Sequence, residues 1–139
     1  MMKRFAIPAL ACMLIATACN STKQITAQQA PQIDGRWTIK MVDHEPVDVQ
    51  DAFIGFEAAK QHLYGNAGCN SFNGSITFDD DSLKIGMMLA TKMYCPDNTL
   101  ENTMLRLLTN SSWKLRLQEN QLTMSNPSST ILLEKTTKD

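Results

Sequence analysis

The residues of this 139-residue chain with chemistry to offer are few: four cysteines, two histidines and the acidic run Asp79-Asp80-Asp81. Cys69 sits in Tyr64-Gly-Asn-Ala-Gly-Cys-Asn-Ser-Phe-Asn-Gly74, dense in the residues that reach positive φ at least cost, so the backbone there must follow a tight path. Cys95 sits in Ala90-Thr-Lys-Met-Tyr-Cys-Pro-Asp97, where a strand ends and a helix is expected to begin. In an exported chain the two fit a structural disulfide that locks a sheet loop to a helix start. Closing that loop would stabilise the fold by about 3.5 kcal/mol in the chain-entropy account. Two other states stay open: a pair of buried free thiols, and a redox pair in which the helix N-terminus stabilises the Cys95 thiolate. The lack of a Cys-x-x-Cys spacing weighs against the redox pair.

The remaining candidates read as structure. His44 and His62 lie in no His-Glu-x-x-His or Gly-x-Ser-x-Gly setting and are expected at the surface. The aspartate run lacks the spacing, glycine and terminal glutamate of a calcium loop, so it reads as a solvated hairpin tip. Met87, Met88 and Met93 suggest soft-metal binding in principle, but thioethers on inward strand phases fill space. Gly65-Asn-Ala-Gly68 lacks the Lys-Ser/Thr of a phosphate loop. No catalytic residue, metal or cofactor is expected. A formal net charge of −1 with no basic stretch argues against a nucleic-acid partner.

These groups must be delivered and positioned by the rest of the chain. Met1-Met-Lys-Arg4 followed by an apolar run to Ala18 has the form of a signal peptide (1–18), too short to span a bilayer comfortably. Ala16-Thr-Ala18-Cys19 resembles the lipobox of bacterial lipoproteins, with Ala16 where leucine is usual. Cys19 is thus the expected lipidated N-terminus, an anchor in the membrane rather than a span across it. Cys12, inside the apolar run, is a poorer candidate. The bland alternative is a secretory cut after Ala18 that leaves Cys19 as a free thiol. Asn20 stands where inner-membrane lipoproteins carry aspartate, which favours the periplasmic face of the outer membrane. Residues 19–34, polar and without periodicity, are expected to form the lipidated N-terminus and a flexible tether.

From Gly35 the pattern is that of strands. Trp37, Ile39 and Met41 alternate with polar residues; Phe53, Ile54 and Phe56 follow, then Gln61–Tyr64; Ile76 and Phe78 form a hairpin with Leu83, Ile85 and Met87. Pro96 suits a first helical position, and Leu100, Met104, Leu107 and Leu108 form one apolar stripe to about Asn110. Trp113, Leu115 and Leu117, then Leu122 and Met124, then Thr130–Lys135 complete the strands. The expected class is α+β: a curled, barrel-like antiparallel meander covered by one main helix, over residues 35–135 with a 136–139 tail.

Gly68-Cys-Asn70 with Gly74, then Leu89-Ala-Thr91, Met93–Cys95 and Pro96-Asp97 ahead of an amphipathic helix, resembles the META domain (heat-shock protein HslJ-like) family. The resemblance covers essentially the whole folded part. It implies a small α+β domain of envelope or secreted proteins, with links to heat-shock induction, antibiotic resistance or virulence, and it implies no catalytic residues. The expectation is a non-enzymatic, lipid-anchored envelope protein that supports envelope integrity or stress tolerance by binding an envelope protein or glycan. The alternative is a thiol-redox or chaperone-like enzyme using Cys69 and Cys95. A third reading places recognition in a loop formed by Asn66, Asn70, Phe72 and Asn73, to which joint exposure of Phe72 and Tyr94 would point.

Overall fold

The computed structural model describes residues 21–137. The strands are β1 (Lys23–Gln24), β2 (Gly35–Val42), β3 (Glu45–Pro46), β4 (Phe53–Glu57), β5 (His62–Asn66), β6 (Ser71–Asp79), β7 (Ser82–Ala90), β8 (Ser111–Gln118), β9 (Gln121–Ser125) and β10 (Thr130–Lys135), with one α-helix, α1 (Thr99–Leu108), between β7 and β8. All pairings are antiparallel, in the order β8-β7-β6-β5-β4-β2-β10-β9, and β9 pairs back onto β8. The sheet therefore closes into an eight-stranded barrel, with β1 added to β8 and β3 to β2.

Closure places one phase of the alternation inside the barrel. Trp37, Ile39, Ile54, Phe56, Leu63, Phe72, Ile76, Leu83, Trp113, Leu115, Leu122, Met124, Ile131 and Leu133 all point into one core, while their odd or even neighbours meet solvent. The buried indoles keep their donors satisfied: Trp37 Nε1–H donates to the Ile33 carbonyl at 2.7 Å and Trp113 Nε1–H to Ser111 Oγ at 2.7 Å.

Strict alternation fails in two places, each at a bulge. Register shifts between Leu132 and Leu133 opposite β2, so Val42 turns inward and Met41 is left half-buried. On β7 the residues between Ile85 and Met88 outnumber those facing them on β6, so Met88 is buried and Met87 points outward. The expected inward Met87 is thereby corrected.

The expected helix from Pro96 to Asn110 is shorter. It starts at Thr99, whose N–H is taken by Asp97 Oδ1 at 2.9 Å, and this bond holds the Asp97 carboxyl below its ordinary pKa. Its buried residues are Glu101, Met104 and Leu108, with Leu100 and Leu107 only half-buried. The helix packs Met104 and Leu108 into the core beside β7, so it covers part of the barrel only.

The flexible tether is also corrected. Signal peptide and lipidation residues 1–20 lie outside the described residues, but from Lys23 on the chain is folded. β1 pairs with the end of β8, and a 3-10 segment, Ala27–Ile33, crosses to the start of β2. Ile25 and Ile33 are fully buried, which at about 1.5–3 kcal/mol each outweighs the entropy a coil would keep. At the other end, Thr136 of the expected tail donates its N–H to the Arg36 carbonyl at 3.0 Å, extending the sheet by one residue.

Candidate functional site

The β5–β6 connection must reverse in four residues, and Gly68 does so at φ +119°, open to glycine and strained for any other residue. Asn66 holds the turn from inside: its Oδ1 accepts from the Gly68 N–H at 2.8 Å and its Nδ2 donates to the Cys69 carbonyl at 3.1 Å. Cys69 is joined to Cys95 by a disulfide, Cα to Cα 6.2 Å, across 26 positions of sequence. This ties the turn to the segment between β7 and α1.

Asn70, next along, is the hub. It is buried, and its Oδ1 accepts from the Met93 N–H at 2.7 Å and the Thr91 hydroxyl at 3.0 Å. Its Nδ2 donates to Glu101 Oε1 at 3.0 Å, and its backbone N–H donates to Glu101 Oε2 at 2.9 Å. Every buried side-chain polar atom among the described residues is satisfied in this way. The disulfide and this network together fix the path of residues 91–98 over the barrel rim.

The proposed recognition loop is therefore taken apart by the fold. Asn66 and Asn70 spend their amides on holding backbone, and Phe72 is buried because it sits on the inward phase of β6. Asn73 alone of the four is exposed with a free amide among the described residues. Phe72 and Tyr94 do not form an exposed pair: Tyr94 is 93% exposed and Phe72 is 1% exposed. Glu101 is the functional-site residue that the sequence reading missed. A carboxylate three before Met104 and seven before Leu108, on the apolar phase of a helix, was the available signal.

Around the braced segment the surface is apolar. Met87 (66% exposed), Leu89 (62%), Met93 (61%) and Tyr94 are the exposed large apolar side chains of the described residues, and all four fall within eight positions. Leu89, Met93 and Tyr94 line a groove of about 640 Å³ between the end of β7 and α1, which Leu105 lines from the helix side. Beside this groove the ladder from β7 to β8 stops at Ile85, opposite Ser111, and the last backbone bond on that side runs from the Asn110 N–H to the Gly86 carbonyl. Among the described residues no cluster of three or more His, Cys, Asp or Glu side chains could hold a metal, and no helix is long and apolar enough to cross a membrane.

A closed antiparallel barrel with a disulfide-braced rim and one short helix at that rim defines a small β-barrel domain of a recurrent kind. The META domain family model matches residues 28–139, and the chain belongs to that family. In three dimensions it is similar to the NMR structure of a protein from Burkholderia xenovorans, at TM-score 0.65 and 17% identity, covering 99% of this chain and 100% of that one. A second NMR structure aligns at TM-score 0.61 and 25% identity over 79% of this chain and 94% of the other. No curated protein matches the chain.

Proposed function

We propose that the chain is a non-catalytic docking domain of the bacterial cell envelope, held by a lipid on Cys19 at the periplasmic face of the outer membrane. It supports envelope integrity under heat or antibiotic stress by binding another envelope protein. The observation that carries the docking role is the group Leu89, Met93 and Tyr94, with Met87 also exposed on the same strand as Leu89. Exposed apolar side chains of this size, gathered on one rim and bordering a groove, mark interaction surfaces in soluble domains. A disulfide and a buried polar hub hold that rim rigid, so little entropy is lost when a partner seats on it.

The position of β1, a few residues after Cys19, supports the same reading. Thr22 bonds through its hydroxyl to the Gln118 side chain at 3.1 Å, at the end of the barrel opposite the Cys69–Cys95 rim. Only Asn20 to Thr22 separate Cys19 from β1, a contour of about 14 Å at most. A lipid on Cys19 would hold the 3-10 segment toward the bilayer and turn Tyr94 away from it.

A photo-crosslinking residue placed at Tyr94 in living cells tests the proposal. A discrete adduct that disappears when Leu89→Asp is added, with the fold retained, supports it. No adduct at Tyr94, or one indifferent to Leu89, overturns it.

A further inference from the structure

On the outer face of β4, β5 and β6 lies a second cleft of about 450 Å³. Its floor is aromatic. Tyr64 faces Gly55 in register, and a methyl group on Gly55 would come within 2.2 Å of the phenol ring, so the ring lies down over the glycine backbone. The His62 ring lies beside it, 5.8 Å between centroids and only 20° from parallel, which widens the floor into a flat tray. Phe53 stands edge-on to Tyr64 and carries the Arg36 guanidinium on its own face at 3.6 Å, so it walls the tray and leaves the floor to Tyr64 and His62.

The rim of the tray is polar and fixed. Asn73, the register partner of Tyr64 on β6, is exposed, and its amide has no partner among the described residues. Glu57 accepts from Lys60 Nζ at 2.7 Å and pairs with His62 Nδ1 at 2.9 Å, which pins the carboxylate and the imidazole. Covering a glycine explains why a ring lies at Tyr64. It does not explain a second, near-parallel ring with an unengaged amide at its edge and a carboxylate already held in place by Lys60 and His62.

We propose that this tray binds an uncharged hexopyranose glycan. A pyranose offers a flat C–H face to stack on Tyr64 and His62 and an edge of hydroxyl or acetamido groups for Asn73 and Glu57 to bond. Glu57 is paired with Lys60 at 2.7 Å, so the pair adds no net charge to the cleft and its oxygens serve as acceptors for the hydroxyls of a neutral sugar. The site shares no lining residue with the rim groove and is separate from the protein docking proposed above.

NMR titration of the purified protein with chitotetraose, cellotetraose and tetragalacturonate tests it. Millimolar chitotetraose or cellotetraose is expected to shift the resonances of His62, Tyr64 and Asn73, with tetragalacturonate silent. Preference for chitotetraose assigns acetamido-bearing wall strands, and preference for cellotetraose assigns acetamido-free polysaccharide. Asn73→Ala is expected to weaken binding about five- to tenfold at unchanged melting temperature, with Tyr64→Phe near wild type. Shifts confined to other surfaces, no shift with either neutral probe, or unchanged affinity in Asn73→Ala would overturn the assignment.

Discussion

The backbone N–H and side-chain amide of Asn70 bond separately to the two oxygens of Glu101, at 2.9 and 3.0 Å, in a buried pair that joins the turn before β6 to α1. Neither group is useful alone at that depth. Glu101→Gln replaces one acceptor oxygen with an amide nitrogen facing a donor and is expected to cost about 1–3 kcal/mol in urea unfolding. Asn70→Ala combined with Glu101→Ala should cost less than the sum of the single changes, because each single change strands the other partner.

Opening the disulfide removes the constraint on the unfolded chain. Cys69→Ser with Cys95→Ser is expected to lower unfolding free energy by about 3.5 kcal/mol, read from guanidinium titrations beside the reduced wild type. The adduct at Tyr94 should weaken with it, since residues 91–98 then lose one of their two ties.

The N-terminal segment offers a direct check on its folded state. Ile25→Ala and Ile33→Ala, both at fully buried positions, should each destabilise by about 2–5 kcal/mol in the same assay. A free tether would make both changes neutral.

Gly65 has no room for a side chain, since a methyl there would lie 2.5 Å from the Phe53 carbonyl oxygen and 2.6 Å from the Phe72 ring. Gly65→Ala is therefore expected to cost about 1–3 kcal/mol, with broadened near-UV signals from the core aromatics.

Three exposed carboxyls titrate below their ordinary values: Glu57 through Lys60 and then His62, Asp81 through Lys114, and Asp97 through the Thr99 N–H. A depressed folded pKa means that the unfolded chain binds protons first, so the stability is present above the unfolded values of 4.5 for Glu57 and 3.8 for the aspartates and is lost as pH falls through the lower folded ones. Melting temperature should decline from about pH 4.5 downward, and Glu57→Gln should flatten the start of that decline.

The strands were legible because alternation is a local signal, and Trp37, Ile39, Ile76, Leu83 and Trp113 declare the inner face without help. Barrel closure depends on β8 meeting β9 on one side and β7 on the other, a long-range fact that no window of sequence contains. The bulges were unreadable for a related reason: whether Met87 or Met88 turns inward is decided by register against β6, not by their nearly identical chemistry. Of the recognition loop, the asparagines were noticed for the right property and given the wrong task. Short amides that hold tight backbone are spent doing so, and only Asn73, on a regular strand, remains unspent. The polar look of residues 21–34 concealed Ile25 and Ile33, two isolated apolar residues too far apart to make a periodic pattern yet enough to pin the segment.

The return of β9 onto β8 has a consequence for crowding. An open sheet offers two raw margins along which copies can stack without limit. Among the described residues this ring offers the short stubs of β1 and β3 and the last few residues of β7, none long enough to template a fibre. Copies packed side by side should therefore tolerate close company, and any polymer would first have to unzip a complete ladder.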